Sequence, residues 1–185
     1  MGAPVDALAP TAARCAERLR NADAVLVASH IDADGLTSAA VATAALARAG
    51  IAVETTFHNQ LDDDAIAAIA ATGYDTVLFT DFGSGQIGTI AAHEAADDFA
   101  AVIADHHQPG DGETDCHLNP VLAGIDGAAE LSGAGAAYLV ARELGDNRDL
   151  AALAIVGAVG DMQASDGELR GANAEIVREG VEAGV

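Results

Sequence analysis

The sequence predicts an α/β protein: a doubly wound, mostly parallel five-stranded sheet flanked by helices, forming one domain over residues 1–185. Three observations predict it. Short apolar runs alternate with longer Ala-rich segments whose apolar residues recur at helical spacing, the order expected of strand–helix units. The apolar runs are continuous rather than alternating, as in strands covered on both faces. Three of them stop abruptly at acids and imidazoles, and in parallel sheets ligands bind beyond the carboxyl ends of the strands.

Pro10 to Ala22 is predicted as a first helix, with Ala13, Ala16, Leu19 and Arg20 at helical spacing. Ala24–Ser29 (AVLVAS) is a buried strand that ends in His30–Gly35. A helix follows from Leu36 to Arg48, stopped by Gly50 in the manner of a glycine just past a helix end. Ile51–Phe57 is a second strand, and Asp62 to Ala71 a helix with acids in its first turn, where the helix dipole favours them. Asp75–Thr80 is a third strand, ending at Asp81. Gly83–Gln86 is a glycine-rich turn into another helix. Phe99–Ala104 is a fourth strand, ending at Asp105. After a polar loop at Gln108–Asp115, Cys116–Asn119 is a short fifth strand. Gly133–Leu144 and Leu150–Val159 read as two Ala-rich helices, and Asn173–Gly184 as a weak, highly charged one.

Charge is the strongest compositional signal. The chain carries 8 basic residues, all Arg, against 29 acidic ones, for a net charge of −21. A disordered acidic chain is poor in apolar residues, whereas this one is 51% hydrophobic. The acids must therefore coat a folded body. Such a surface repels itself at low salt and is tolerated when the Debye length shrinks to roughly 3 Å at 1 M. This predicts a halophilic protein; the alternative is an acidic domain that meets a basic partner. No basic stripe marks a nucleic-acid site. In concentrated salt, however, counterion release contributes little, so an acidic surface does not exclude nucleic acid. Two cysteines, Cys15 and Cys116, without a CxxC pair, exclude a metal ribbon and a disulfide framework. Cys15 reads as a small core residue. No signal peptide or membrane-length apolar run is visible, so the expectation is a soluble cytoplasmic protein.

The polar residues at the strand tips carry the chemistry. In SHIDADG, His30, Asp32 and Asp34 fall within five residues on a loop leaving a strand. Hard divalent cations want carboxylate oxygen, and Mn²⁺ also accepts imidazole. Gly35 is expected to let the backbone turn tightly into the helix. The plainer reading is that Asp32 and Asp34 cap that helix, but one Asp would suffice and His30 would be unexplained. Asp81, in FTDFGSG, reads alone as either a helix cap or a ligand; beside the other tips it reads as a ligand bridging two ions. In Asp105-His106-His107, one imidazole can bind metal while the next faces substrate, because neighbouring side chains on extended backbone point opposite ways. Asp105 either binds metal or orients a histidine. Asp161, in AVGDMQ, ends an apolar helical run, where the dipole disfavours an acid and a cation would compensate. Six candidate ligands suit two divalent ions better than one, and two ions serve hydrolysis of a phosphate ester or anhydride.

HIDADG, the Asp of FTDFG, the ADHH triplet and the GD of GDMQ resemble, in order, the four motifs of the DHH phosphoesterase superfamily, over roughly residues 24–165. The resemblance implies His30 and Asp32 on one manganese, Asp34, His106 and Asp161 on the other, and Asp81 between them, with Mg²⁺ as the second candidate metal. It implies that His107 contacts the scissile phosphate and that Asp105 supports the site. Ser132–Gly135 (SGAG) resembles a family stretch that opens a helix, which simple helix capping also explains. The H-x-D-x-D-G spacing of the first motif is similar to archaeal RecJ-like exonucleases, and the halophilic composition agrees with that origin. Nothing after Asp161 resembles the glycine-rich second domain that family members carry.

The expected function is therefore metal-dependent hydrolysis of single-stranded DNA or RNA. The alternatives are a phosphodiesterase of small oligonucleotides or nucleotides, and a non-hydrolytic module bound to replication or repair proteins. Six converging donors argue against a module that does no chemistry.

Overall fold

The computed structural model describes residues 4–185, and the architecture is five parallel strands between two layers of helices. Helix α1 (Pro4–Arg20) leads into β1 (Ala24–His30), α2 (Ala33–Arg48), β2 (Ala52–His58), α3 (Asp63–Ala70) and β3 (Thr76–Thr80). Then come α4 (Ile87–Ala95), β4 (Ala100–Ala104), β5 (His117–Leu118), α5 (Gly133–Leu144), α6 (Ala151–Gly160) and α7 (Gly171–Ala183). The strand order is β2-β1-β3-β4-β5, and every pairing is parallel, so the sheet is wholly rather than mostly parallel.

Period-two alternation divides the core. Val25, Val27, Leu78, Val102 and Ala104 pack with buried residues of α1, α2 and α5. Leu26, Ala28, Val77, Phe79, Ala101 and Ile103 pack on the other face with Ile66, Ile69, Ile87 and Ile90 from α3 and α4. Strands buried on both faces need continuous apolar runs, and β3 is buried at all five positions. β2 is one of the two edge strands, and exposed and half-buried residues interleave along it. Residues 133–141 of α5 are all buried, as expected of a helix apolar on every side. No helix among the described residues is long and apolar enough to cross a membrane.

Three expectations are corrected. Helix α1 begins at Pro4, not Pro10, which lies inside it. Pro10 removes one N–H donor, but the stripe Val5, Leu8, Ala12, Cys15, Ala16 and Leu19 is buried throughout, and its burial carries the helix across. Ala13 and Arg20 lie on the exposed side. Helix α2 begins at Ala33, three residues before Leu36, so Asp34 and Gly35 lie in its first turn. Gly35 is required by space and not by a left-handed turn: a Cβ there would sit 2.2 Å from the His30 carbonyl oxygen. Gly50 does adopt the left-handed conformation, at φ 78°, and ends α2 as expected.

Candidate metal centre

The sheet order reverses direction between β1 and β3, the switch point at which open α/β sheets bind ligands. A buried hydroxyl pair pins the two tips side by side. Thr80 Oγ1 donates to Ser29 Oγ at 2.8 Å, and Ser29 Oγ donates to the Gly35 carbonyl at 2.7 Å. His30 and Asp81 follow directly on these residues, and Asp105 and His106 follow β4 in the next position.

Asp32 caps α2, accepting from Gly35 N at 2.8 Å, and its other oxygen lies 2.9 Å from His30 Nδ1. The capping reading and the clustering reading therefore hold together for this residue. Asp34 is 1% exposed and reaches across to α5. Its two oxygens accept from Gly133 N at 2.7 Å and Ala134 N at 2.9 Å. The positive end of the α5 dipole thus faces this carboxylate. Ser132 caps α5 through Gly135 N, as the simpler reading of SGAG expects. Gly133 has a second role: a Cβ there would lie 2.6 Å from Asp81 Oδ1. Only glycine lets α5 approach the tip of β3.

Asp81 is the junction of the site. It is held at φ 60°, a conformation L residues rarely adopt and one concentrated at functional sites. Its Oδ2 lies 3.7 Å from His30 Nδ1, and its Oδ1 lies 3.3 Å from His106 Nε2. His106 Nε2 also lies 3.6 Å from Asp34 Oδ2 and 3.6 Å from Asp161 Oδ2. Two groups result, each with donor atoms within 4.8 Å of one another: His30, Asp32 and Asp81, and Asp34, His106 and Asp161. Asp81 and His106 also fall within a third group with Asp105 and His107.

The electrostatics show what these groups lack. Burial, reinforced by Asp34 and Asp32, pushes the Asp81 carboxyl up to about 9. Asp34 is likewise raised, chiefly by burial. Burial opposes a charge on His106, but the Asp81 carboxylate and the Gly127 carbonyl raise its imidazole to about 10. Crowding and burial raise the proton affinity of such acids, and a divalent cation can take the place of a proton among them. Among the described residues, both Asp81 oxygens and His106 Nε2 are buried without a hydrogen-bond partner. Buried polar atoms are rarely left so, and this carboxylate and imidazole pair is a donor set that divalent ions accept. His106 is already oriented for this. Its Nδ1 donates to the Gly127 carbonyl at 2.7 Å, so Nε2 is the nitrogen that faces the acids and the one whose proton a cation would displace.

Asp105, for which the sequence left metal binding and histidine orientation open, has both oxygens hydrogen-bonded. Its oxygens accept from Ser84 N at 2.9 Å, His106 N at 2.7 Å, His107 N at 3.2 Å and His107 Nδ1 at 2.8 Å. Burial works against its charge, but the His107 hydrogen bond leads the contacts that hold it well below the usual carboxylate range. All four of its contacts come from N–H groups. The same bond raises the His107 imidazole, which is half exposed. His107 lines a cleft of about 240 Å³ together with His30, Asp81, Asp105 and Phe82.

Sequence reasoning missed the polar residues behind the donors. Ser84 Oγ pairs with His117 Nε2 at 2.8 Å, and Asn119 Nδ2 donates to Ser84 Oγ and to the His107 carbonyl, both at 2.8 Å. Gln163 Nε2 donates to Asp161 Oδ2 at 2.8 Å and to the Gly127 carbonyl at 2.9 Å. The available signal was polarity in a strand-like run, His117 and Asn119 within CHLN.

A protein of Methanocaldococcus jannaschii, itself uncharacterised, is 38% identical over 163 residues; the alignment covers 84% of this chain and 36% of the relative. RecJ of Thermus thermophilus, solved in complex with Mn²⁺, superposes with a TM-score of 0.74 at 26% identity, over 95% of this chain and 26% of that one. CDC45 of Entamoeba histolytica superposes at 0.67 with 13% identity, over 95% and 38% of the two chains, a likeness of fold alone. The chain therefore spans about a third of its relative's length and a quarter of the RecJ structure's. The segment holding the tips of β1, β3 and β4 is also the segment with recognisable ancestry: residues 24–158 match the model of the DHH family, N-terminal domain, and the chain belongs to that family.

Proposed function

We propose that this domain is a two-metal phosphodiesterase that removes nucleotides from single-stranded DNA or RNA, in the manner of the RecJ it resembles. The observation that carries the reading is Asp81: a buried carboxylate neither of whose oxygens has a hydrogen-bond partner among the described residues, one facing each donor group. His30 and Asp32 would hold one ion, Asp34, His106 and Asp161 the other, and Asp81 would contact both. The mixture of carboxylates and imidazoles suits Mn²⁺, with Mg²⁺ as the second choice. When bound, such a pair supplies an acidified water and charge neutralisation at the phosphate.

The chain's own residues do the rest. The α5 N-terminus and the Asp34 carboxylate fix each other's place, so the second donor group is built before any ion arrives. Asp105 keeps His107 Nδ1 protonated and turns Nε2 outward. The raised imidazole favours the doubly protonated form, in which His107 Nε2 would donate a hydrogen bond to a non-bridging phosphate oxygen. Without a basic stripe, binding rests on the ions, hydrogen bonds and apolar contact, which survive in concentrated salt. The acidic surface suits a halophilic cytoplasm, and replication or repair proteins are the partners in keeping with this activity.

Hydrolysis of an end-labelled single strand with Mn²⁺ in molar salt tests the reading. Asp81→Ala and His106→Ala should abolish cleavage while retaining the fold. Cleavage of dinucleotides only would replace this reading with a small-substrate phosphodiesterase. No cleavage, together with capture of a replication protein, would replace it with a non-hydrolytic module.

A further inference from the structure

Behind Asp161, two buried carboxamides connect the last helix to one donor group. Gln163 is 4% exposed and Asn173, in the first turn of α7, is 2% exposed. Gln163 follows Met162, whose left-handed backbone (φ 58°) turns the chain back after α6. The turn is closed by Gln163 N donating to the Ala158 carbonyl at 3.0 Å. This directs the side chain at Asp161 and at the Gly127 carbonyl, 2.8 and 2.9 Å from its Nε2. The same Gly127 carbonyl accepts from His106 Nδ1 at 2.7 Å. One amide nitrogen therefore touches one donor of the Asp34, His106 and Asp161 group and the carbonyl that sets the tautomer of another.

The orientation of that amide is determined by its neighbours. Carboxylate and carbonyl can only accept, so the nitrogen end of Gln163 must face them. Its Oε1 accepts from Asn173 Nδ2 at 2.7 Å. Asn173 is fixed in turn, because its Oδ1 faces the Ser132 N–H at 3.4 Å and its backbone N–H donates to the Glu130 carbonyl at 2.8 Å. No atom of this relay belongs to the His30, Asp32 and Asp81 group. Both residues also lie beyond the segment matched by the family, which ends at residue 158.

We infer that Gln163, oriented by Asn173, is a positioning residue for Asp161 and His106, so that α7 governs the affinity of one metal position and leaves the other alone. The inference rests on the two-metal reading. Outer partners of metal ligands set ligand orientation and basicity, and their loss costs about 10- to 100-fold in affinity.

Calorimetric titration of the whole chain with Mn²⁺, paired with thermal melting without metal, tests it. The unaltered chain binds two ions. Gln163→Met keeps the shape and removes the donor; one of the two affinities should fall about 10- to 100-fold while the other stays within about threefold. Asn173→Asp, which touches no donor, places an acceptor against Gln163 Oε1 and turns the amide round; the same affinity should fall. Added to Asp161→Ala, Gln163→Met should cause a smaller further loss than it causes in the unaltered chain, because only the His106 contact remains to be lost, whereas its effect should add fully to that of Asp32→Ala. Two unaltered affinities in folded Gln163→Met, or two affinities falling together with the melting temperature, overturn the inference and leave the two-metal reading standing. Failure of the unaltered chain to bind Mn²⁺ overturns that reading, and this inference with it.

Discussion

Gly133→Ala separates local helix preference from the demands of the site. Gly133 opens α5, and alanine is preferred to glycine within helices by about 1 kcal/mol. Propensity alone therefore predicts a gain. The tertiary structure predicts the opposite. The added Cβ would meet Asp81 Oδ1 at 2.6 Å, Cβ at 2.8 Å and Cα at 2.9 Å, where ordinary contact begins near 3.4 Å. Either α5 or the tip of β3 must give by about 0.6 Å, because Asp81 Cβ and Cα, unlike Oδ1, cannot swing away by rotation of the side chain. Overpacking of this kind costs about 1–3 kcal/mol, which outweighs the propensity. The displacement also falls on Asp81, and on the Gly133 N–H that holds Asp34. Both donor groups contain one of these residues, so both Mn²⁺ affinities should drop at least tenfold. Denaturant unfolding of the metal-free protein and Mn²⁺ titration measure the two effects. A variant at least as stable as the parent, with unchanged Mn²⁺ binding, would refute the claim that α5 and β3 are in limiting contact.

Other outcomes follow from the same structure. Asp105→Asn sets an amide against the Ser84 N–H and removes the charge beside His107; we expect about 1–3 kcal/mol of lost stability, retained Mn²⁺ stoichiometry and hydrolysis reduced about 10- to 100-fold. Unchanged hydrolysis would remove Asp105 from any positioning role. Burial lowers the His117 imidazole below its ordinary value of about 6.5. The unfolded chain then takes up the proton first, so the stability tied to neutral His117 is complete above that pH and is lost as pH falls through the lower folded value. His117→Gln should therefore lose less stability than the parent between pH 7 and 5, and equal losses in unfolding at the two pH values would contradict this. With a net charge of −21, the melting temperature should rise as KCl goes from low to molar concentration, because screening relieves self-repulsion; a flat or falling profile would count against the halophilic reading.

The strands were the most legible part of the chain. AVLVAS, DTVLFT and FAAVIA are apolar through their centres because both faces of a central strand are covered, and their ends read as abrupt changes of polarity. Helix starts were less legible. Pro10 looked like a first-turn residue because nothing local reports that Val5 and Leu8 find a partner surface. Asp34 looked like a loop residue because Ala33–Gly35 has no strong helical preference; the helix is extended to Ala33 by the Asp32 cap. At the site, the donors were legible as residue types at strand tips. Asp105 stayed ambiguous, since its role depends on four N–H groups, one of them from a different turn. Ser84, Gln163 and Asn173 were invisible, because a buried amide or hydroxyl has the same spelling as an exposed one.

Taken alone, the order of residues determined the α/β alternation, the abundance of acid on the surface and which side chains would end each inner strand. These follow from periodicity and composition, which act over a few neighbouring residues. Only the folded chain decided that Asp81 sits in a left-handed turn between two donor groups, that α5 meets it through a glycine, and that the last helix reaches Asp161 through two amides. Those contacts join residues far apart along the chain, and they depend on strand order and helix packing, which no local pattern encodes.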